Sequence, residues 1–266
     1  MREETPMLSY NQIAYRGLEV CNPVEPGRIE AAVERTGLGA GARAADVGTG
    51  TAALAIRLAR RFGFAVTAIE YNPDMAALAR ANVVAAGAEK AVEIVEGAAA
   101  DVLTAMEAPR LIVALGTTNV TGEGLPTPES AFAFLRERLP PGGWLLWGDL
   151  TWTAEPPAPL RQITDLTNLF TDDAGWKAAA AAAGLELTWS ELSPQPVIDA
   201  FTSATDAAVR AWLEANPEAP EAAGIRLSAD RVRAVFGFGR PCIGFGLYLF
   251  RRPPEVQAVR ITPPQD

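Results

Sequence analysis

The sequence has no histidine in 266 residues and only two cysteines, and its 23 lysines and arginines are outnumbered by 32 acidic residues. Each shortage excludes something. Without histidine there is no His-based triad, no His general base and no common zinc site, because no other side chain titrates near neutrality unaided. Any acid or base must be Asp, Glu, Tyr, Cys or Lys. Cys21 and Cys242 are too far apart for a Cys-x-x-Cys motif, and two thiols in so long a chain suit a reducing compartment and structural roles. A net charge of −9 and a pI near 4.8 argue against nucleic acid as partner, which demands a concentrated basic surface. A small or neutral molecule is expected instead. No apolar stretch follows Met1-Arg2-Glu3-Glu4, and no apolar run reaches the roughly 18 residues of a membrane span. The reading is a cytoplasmic protein with no membrane partner.

What is present is apolar residues, 49% of the chain, enough to bury a core without metals or disulfides. Short apolar runs at 44–47, 65–69, 92–95, 111–115 and 144–147 read as buried strands. Between them the patterns at 51–62, 73–86 and 128–139 read as helices, after a first helix at 26–36 and a loose segment holding Tyr10, Tyr15 and Arg16. Such alternation implies an α/β fold, a parallel sheet covered on both faces. Beyond Asp149 a Pro-rich loop, an alanine-rich helix near 174–183 and a strand at 185–189 are expected. Two helices, at 195–216 and 228–235, then separate that strand from a last one at 243–250, so they read as an insertion beside the sheet. The division is an N-terminal arm and cap helix at 1–38, a main domain at 39–252 with insertion 191–239, and an extended tail at 253–266.

The most informative residues are Asp46-Val47-Gly48-Thr49-Gly50, at a strand-to-helix junction. Gly48 and Gly50 have no Cβ, so the backbone can turn sharply and a ligand can lie almost against it. The second strand ends at Glu70, twenty positions after Gly50, where a carboxylate can accept both hydroxyls of a ribose. Gly48-x-Gly50-x-x-Ala53 also satisfies the turn used for dinucleotide pyrophosphates. Asp46 opposes that reading: at the strand end it repels a diphosphate but receives an ammonium group. A cofactor with ribose and an amino-acid head fits better.

Asp46-Val47-Gly48-Thr49-Gly50-Thr51 resembles motif I of the class I S-adenosylmethionine-dependent methyltransferases, although Ala52 replaces their third glycine. Leu139 to Leu145 is similar to that family's turn into strand five, and Arg210 to Phe250, with Trp212-Leu213-Glu214-Ala215-Asn216-Pro217, to the helical insertion of a small bacterial branch. The resemblance implies a Rossmann-like, doubly wound, mostly parallel seven-stranded sheet and S-adenosyl-L-methionine as cofactor. Gly48, Thr49, Gly50 and Gly116 would meet the cofactor, Glu70 its ribose diol and Tyr71 its adenine. Ala98 stands where many members carry Asp for the adenine amino group, and Asp101, three residues on, either substitutes or caps the following helix. Arg110 stands where members often begin strand four with an acid. In similar enzymes a segment like that around Tyr10 and Tyr15 folds over the cofactor as a lid.

Methyl transfer from a sulfonium needs alignment and exclusion of water more than acid-base machinery, so the absence of histidine is compatible with it. After strand five, Asp149 is the first choice for an acceptor-side carboxylate. Asn119, after strand four, is the choice for orienting a substrate. The Asn/Asp-Pro-Pro-aromatic signature of amino-methylating nucleic-acid enzymes is absent, as is an acidic metal-binding trio. The expectation is a metal-independent methyltransferase, monomer or homodimer, with a small-molecule O or N acceptor. A dinucleotide-dependent oxidoreductase and a non-catalytic nucleoside binder are the alternatives.

Overall fold

A computed structural model of the chain describes residues 8–117, 119–122, 126–165 and 171–255, so most of the expected tail lies outside the described residues. In chain order the elements are α1 (Tyr10–Tyr15), α2 (Pro26–Glu34), β1 (Arg43–Val47), α3 (Ala53–Phe62), β2 (Ala65–Glu70), α4 (Pro73–Ala85), β3 (Val92–Glu96), α5 (Ala99–Ala105), β4 (Leu111–Leu115), α6 (Pro128–Arg138), β5 (Trp144–Trp152), α7 (Ala158–Asp165), α8 (Asp173–Ala182), β6 (Glu186–Leu192), α9 (Gln195–Ala215), α10 (Ala222–Gly239) and β7 (Ile243–Arg251). Seven strands form one sheet in the order β3-β2-β1-β4-β5-β7-β6. The first five are parallel, and β7 runs antiparallel to both its neighbours. This is the Rossmann-like sheet that the motif resemblance implied, with α9 and α10 standing between β6 and β7 in the chain.

The strands are apolar on both sides because helices cover both faces. On one, Ile29 and Val33 of α2, Leu58 of α3 and Val83 of α4 pack on Val66, Val113 and Leu146. On the other, Phe132 of α6 and Trp176 of α8 close over Trp147 and Phe250. The Phe132 and Trp147 ring centroids are 5.0 Å apart, and those of Trp147 and Trp176 5.4 Å. Burying each such ring stabilises the fold by on the order of 2–3 kcal/mol. A third apolar cluster joins Ile13 of α1 to Val209 of α9 and Ile225 of α10.

Local boundaries depart from the sequence pattern in four places. Helix α3 begins at Ala53, not Thr51, because the turn carries on through Ala52, held at φ 60° in the left-handed region. Strand β5 continues to Trp152 instead of stopping at Trp147, since β7 pairs with it over its whole length. Helix α10 is longer at both ends than 228–235. The supposedly loose N-terminal segment contains α1, whose start is a reciprocal cap between Ser9 and Gln12. That Ser-x-x-Gln spacing is a readable helix signal.

Candidate active site

Strand order reverses at β1 and β4, and the crevice at the carboxyl ends beside such a point is where ligands meet this kind of sheet. Three cavities adjoin there. One of about 320 Å³ is lined by Gly48, Glu70, Tyr71, Ala98, Thr117 and Asn119, among others. A second, of about 20 Å³, sits over the glycine turn between Asp46, Gly48, Thr49, Cys21 and Asn22. The third, of about 190 Å³, lies between the sheet and α1, α9 and α10, with Tyr10, Tyr15, Gly116, Asp149, Phe201 and Phe236 in its wall. Gly48 is common to the first two, and Cys21 and Asn22 to the last two, so the three form one continuous crevice. Among the described residues no lysine or arginine lines any of it, whereas Asp46, Glu70 and Asp149 stand along its length.

The turn itself is built from local geometry. Gly48 and Gly50 have φ of +68° and +59°, which glycine adopts without steric cost. A Cβ at Gly48 would come within 2.9 Å of the Thr117 side chain. All three successive amides are spent inside the protein: Gly48 N–H and Thr49 N–H donate to the Ile69 carbonyl at 2.9 and 3.0 Å. Gly50 N–H donates to Glu70 Oε2 at 2.9 Å, while Asn72 N–H donates to the other carboxylate oxygen at 2.9 Å. Each Glu70 oxygen keeps a further lone pair, since a carboxylate oxygen can accept two hydrogen bonds.

The two aspartates are buried differently. Asp46, near the end of β1, is 4% exposed. Burial pushes its carboxyl up to about 6; the Thr49 hydroxyl, donating to Oδ2 at 2.6 Å, counters this, and nearby Glu70 adds to it. Asp149 is 2% exposed; its Oδ1 accepts from the Leu150 amide at 2.7 Å and its Oδ2 is buried without a hydrogen-bond partner. Burial pushes that carboxyl up to about 7. Asp149 lies within β5 and not in a loop behind it, which corrects the expectation and explains its burial.

Residues 44–143 match the family model described as "Methyltransferase domain". Over this stretch the chain is similar to that family. The chain is also 26% identical over 212 residues to the uncharacterized protein YjhP of Escherichia coli (strain K12), covering 78% of this chain and 84% of that one. Two solved structures share the fold. A SAM-dependent methyltransferase from Geobacter sulfurreducens, in complex with S-adenosyl-L-homocysteine, has a TM-score of 0.77 at 23% identity, over 92% of this chain and 98% of that one. Its counterpart from Thiobacillus denitrificans, in complex with the same compound, has a TM-score of 0.77 at 22% identity, over 92% and 99%.

Within residues 44–143 the structure brings Asp46, Gly48, Thr49, Glu70, Tyr71 and Ala98 to one crevice. Gly50 holds its floor through Glu70, and Tyr71 stands at the rim, 78% exposed. Asn119 lines the Tyr71 cavity, while Asp149 lines the neighbouring one. One expectation changes. Asp101 is neither in that wall nor an N-cap: Ala98 takes the cap position, and Asp101 sits exposed in the first turn of α5.

The sequence reading missed Cys21, Asn22, Phe201 and Phe236 as wall residues. Asn22 donates through Nδ2 to the Leu115 carbonyl at 3.1 Å, and a Cβ on Gly116 would collide with its Oδ1. No motif marks such residues, because the walls come from segments far apart in the chain. Cys21 Sγ lies 3.6 Å from Thr51 Oγ1, and burial raises its thiol pKa, which suits a wall and not a nucleophile.

Proposed function

We propose that the chain is an S-adenosylmethionine-dependent methyltransferase acting in line on an oxygen or nitrogen of a small molecule, without a metal ion. The observation that carries this is the charge of the crevice: three carboxyls spaced along it and, among the described residues, no cationic side chain. That arrangement suits a ligand with positive sulfur and an ammonium head, and disfavours a diphosphate. The amides of Gly48, Thr49 and Gly50, all donating inward, also leave a dinucleotide without the N–H cradle its phosphates require.

When bound, S-adenosylmethionine supplies an electrophilic methyl group. The chain's own residues do the rest. Glu70 accepts from the ribose hydroxyls with its spare lone pairs, and Tyr71 lies against the adenine beside the small walls of Gly97 and Ala98. Asp46 faces the aminoacyl end. Tyr10 and Tyr15, on α1, wall the acceptor cavity from water together with α9 and α10, as a lid does. Asp149 takes the proton that an acceptor hydroxyl or amine releases, and a carboxyl titrating near 7 is suited to that task at neutral pH.

The melting temperature is the direct test, because a ligand of the native state stabilises by mass action. S-adenosylhomocysteine is expected to raise it and NADH to leave it unmoved; the reverse sinks the reading. Incubation with labelled methyl donor and a panel of small alcohols, phenols and amines then separates catalysis from mere binding.

A further inference from the structure

The opposite pole of the sheet, where β4 and β5 begin and β7 ends, carries a second feature that methyl transfer does not use. Arg110 precedes β4, Arg251 closes β7, and Arg252 follows it. The three surround the turn at Pro140 to Gly143, whose Gly142 has φ +75°. Gly142 N–H donates to the Arg252 carbonyl at 2.9 Å, and Arg252 N–H to the Gly143 carbonyl at 2.8 Å, which ties the turn to the end of β7. A Cβ on Gly142 would lie 3.8 Å from Arg251 Nη2 and 4.0 Å from Arg110 Nη2. The two guanidinium nitrogens are therefore within about 8 Å of each other, with side-chain-free space between them. Two hydrogen bonds of about 2.8 Å to one tetrahedral anion span such a gap.

None of the ion pairs among the described residues involves Arg110, Arg136, Arg251 or Arg252, although 13 ion pairs are formed elsewhere. Glu186 faces Arg251 across the β6–β7 ladder but makes no ion pair with it. Arg251 is held over the Trp144 ring at 5.2 Å, and its Nε, like that of Arg136, is buried without a hydrogen-bond partner. Arg252 Nη1 donates to the Arg136 carbonyl at 3.2 Å and to that of Leu139, which anchors the cluster to the end of α6. In a chain of net charge −9, unpaired arginines gathered at one pole are an electrostatic outlier.

We infer that this pole binds a phosphate-bearing ligand, held between the guanidiniums of Arg110 and Arg251 with Arg252 and Arg136 behind them. The planar forks of arginine match phosphate oxygens, and the packing of Arg251 on Trp144 lowers the cost of ordering that side chain. The site stands a strand length, roughly 17 Å for five residues, from the methyltransferase crevice, so the two ligands do not compete for space.

Calorimetric titration of pyrophosphate into the full chain at fixed ionic strength is expected to show saturable binding, unaffected by S-adenosylhomocysteine. Arg110→Gln combined with Arg251→Gln should weaken it at least tenfold. The exposed Arg110→Gln alone should weaken it about threefold, and it provides the test if the double variant does not fold. Arg226→Gln with Arg231→Gln, on α10, should leave it unchanged. Vesicles of phosphatidylcholine with phosphatidic acid form a second arm: arginine-dependent binding there assigns the phosphate to a lipid headgroup, and binding of pyrophosphate alone to a free phosphate compound. No binding to either probe, or equal loss in the α10 variant, overturns the inference.

Discussion

From residue 43 to 96 three parallel strands and their helices bring Asp46, Gly48, Gly50, Glu70 and Tyr71 to one crevice wall within 26 positions of sequence. From 144 to 251 the sheet turns antiparallel, and the neighbouring cavity is assembled from α1, residues 21–23, Gly116, β5, α9, α10 and β7. The first region is governed by backbone conformation: two glycines at positive φ and a strand-end carboxylate that holds one of their amides. The second is governed by aromatic packing and burial, with Asp149 kept out of water. On the proposed reading, one region holds the cofactor and the other receives the molecule to be modified. Damage to either should leave the other working.

The largest separation is expected at Asp149. Asp149→Asn should slow methyl transfer about a hundredfold or more while S-adenosylhomocysteine still binds, since a general base contributes about 10²–10⁴-fold. In the wild type the transfer rate should rise with pH through about 7 as the carboxyl ionises. Stability runs the other way. The folded values, about 6 for Asp46 and about 7 for Asp149, lie above the unfolded value near 4. Between these limits the folded chain holds more protons than the unfolded one, so stability falls as pH rises through the window. Denaturant unfolding should accordingly find Asp149→Asn more stable than wild type by about 4 kcal/mol at pH 8 and nearly equal at pH 4. Equal stability at both would show that the carboxyl is not desolvated.

Glu70→Ala attacks the first region. Affinity for S-adenosylhomocysteine should fall by about 10- to 100-fold, the worth of one or two charged hydrogen bonds. Release of the Gly50 and Asn72 amides should lower thermal stability modestly in the absence of ligand. Unchanged affinity in calorimetry would remove the ribose assignment. Phe236→Ala, in the second region, should raise the acceptor KM about tenfold and leave cofactor affinity alone; a fall in both would mean the two cavities act as one. The smallest effect is expected at Ala52, which occupies the left-handed region at φ 60°. Ala52→Gly should change stability by less than about 1 kcal/mol, because relief of a non-glycine residue there is offset by the entropy glycine costs and by loss of a buried methyl group.

How far the sequence could be read follows the same division. Strands β1 to β4 and the helices between them were legible because each buries an apolar run bounded by its own turn or cap, such as Asn72 at the start of α4. The meeting of Asp46, Gly48 and Glu70 at one crevice was legible because it depends on spacing along the chain. The full length of β5 was not, since residues 148–152 are strand only by pairing with β7, about a hundred positions away. Which part of the crevice Asn119 lines was not legible for a similar reason: its position after β4 is a local fact, but the side of the crevice that the loop serves is not.

The sequence by itself determined the turn chemistry and the parallel half of the sheet, because φ preferences, strand-end carboxylates and apolar periodicity act between residues near one another along the chain. Tertiary structure alone decided that the turn's amides face inward, that Asp149 is buried within a strand, and that four arginines share one pole. Each depends on which distant backbone arrives alongside, and no local preference carries that information.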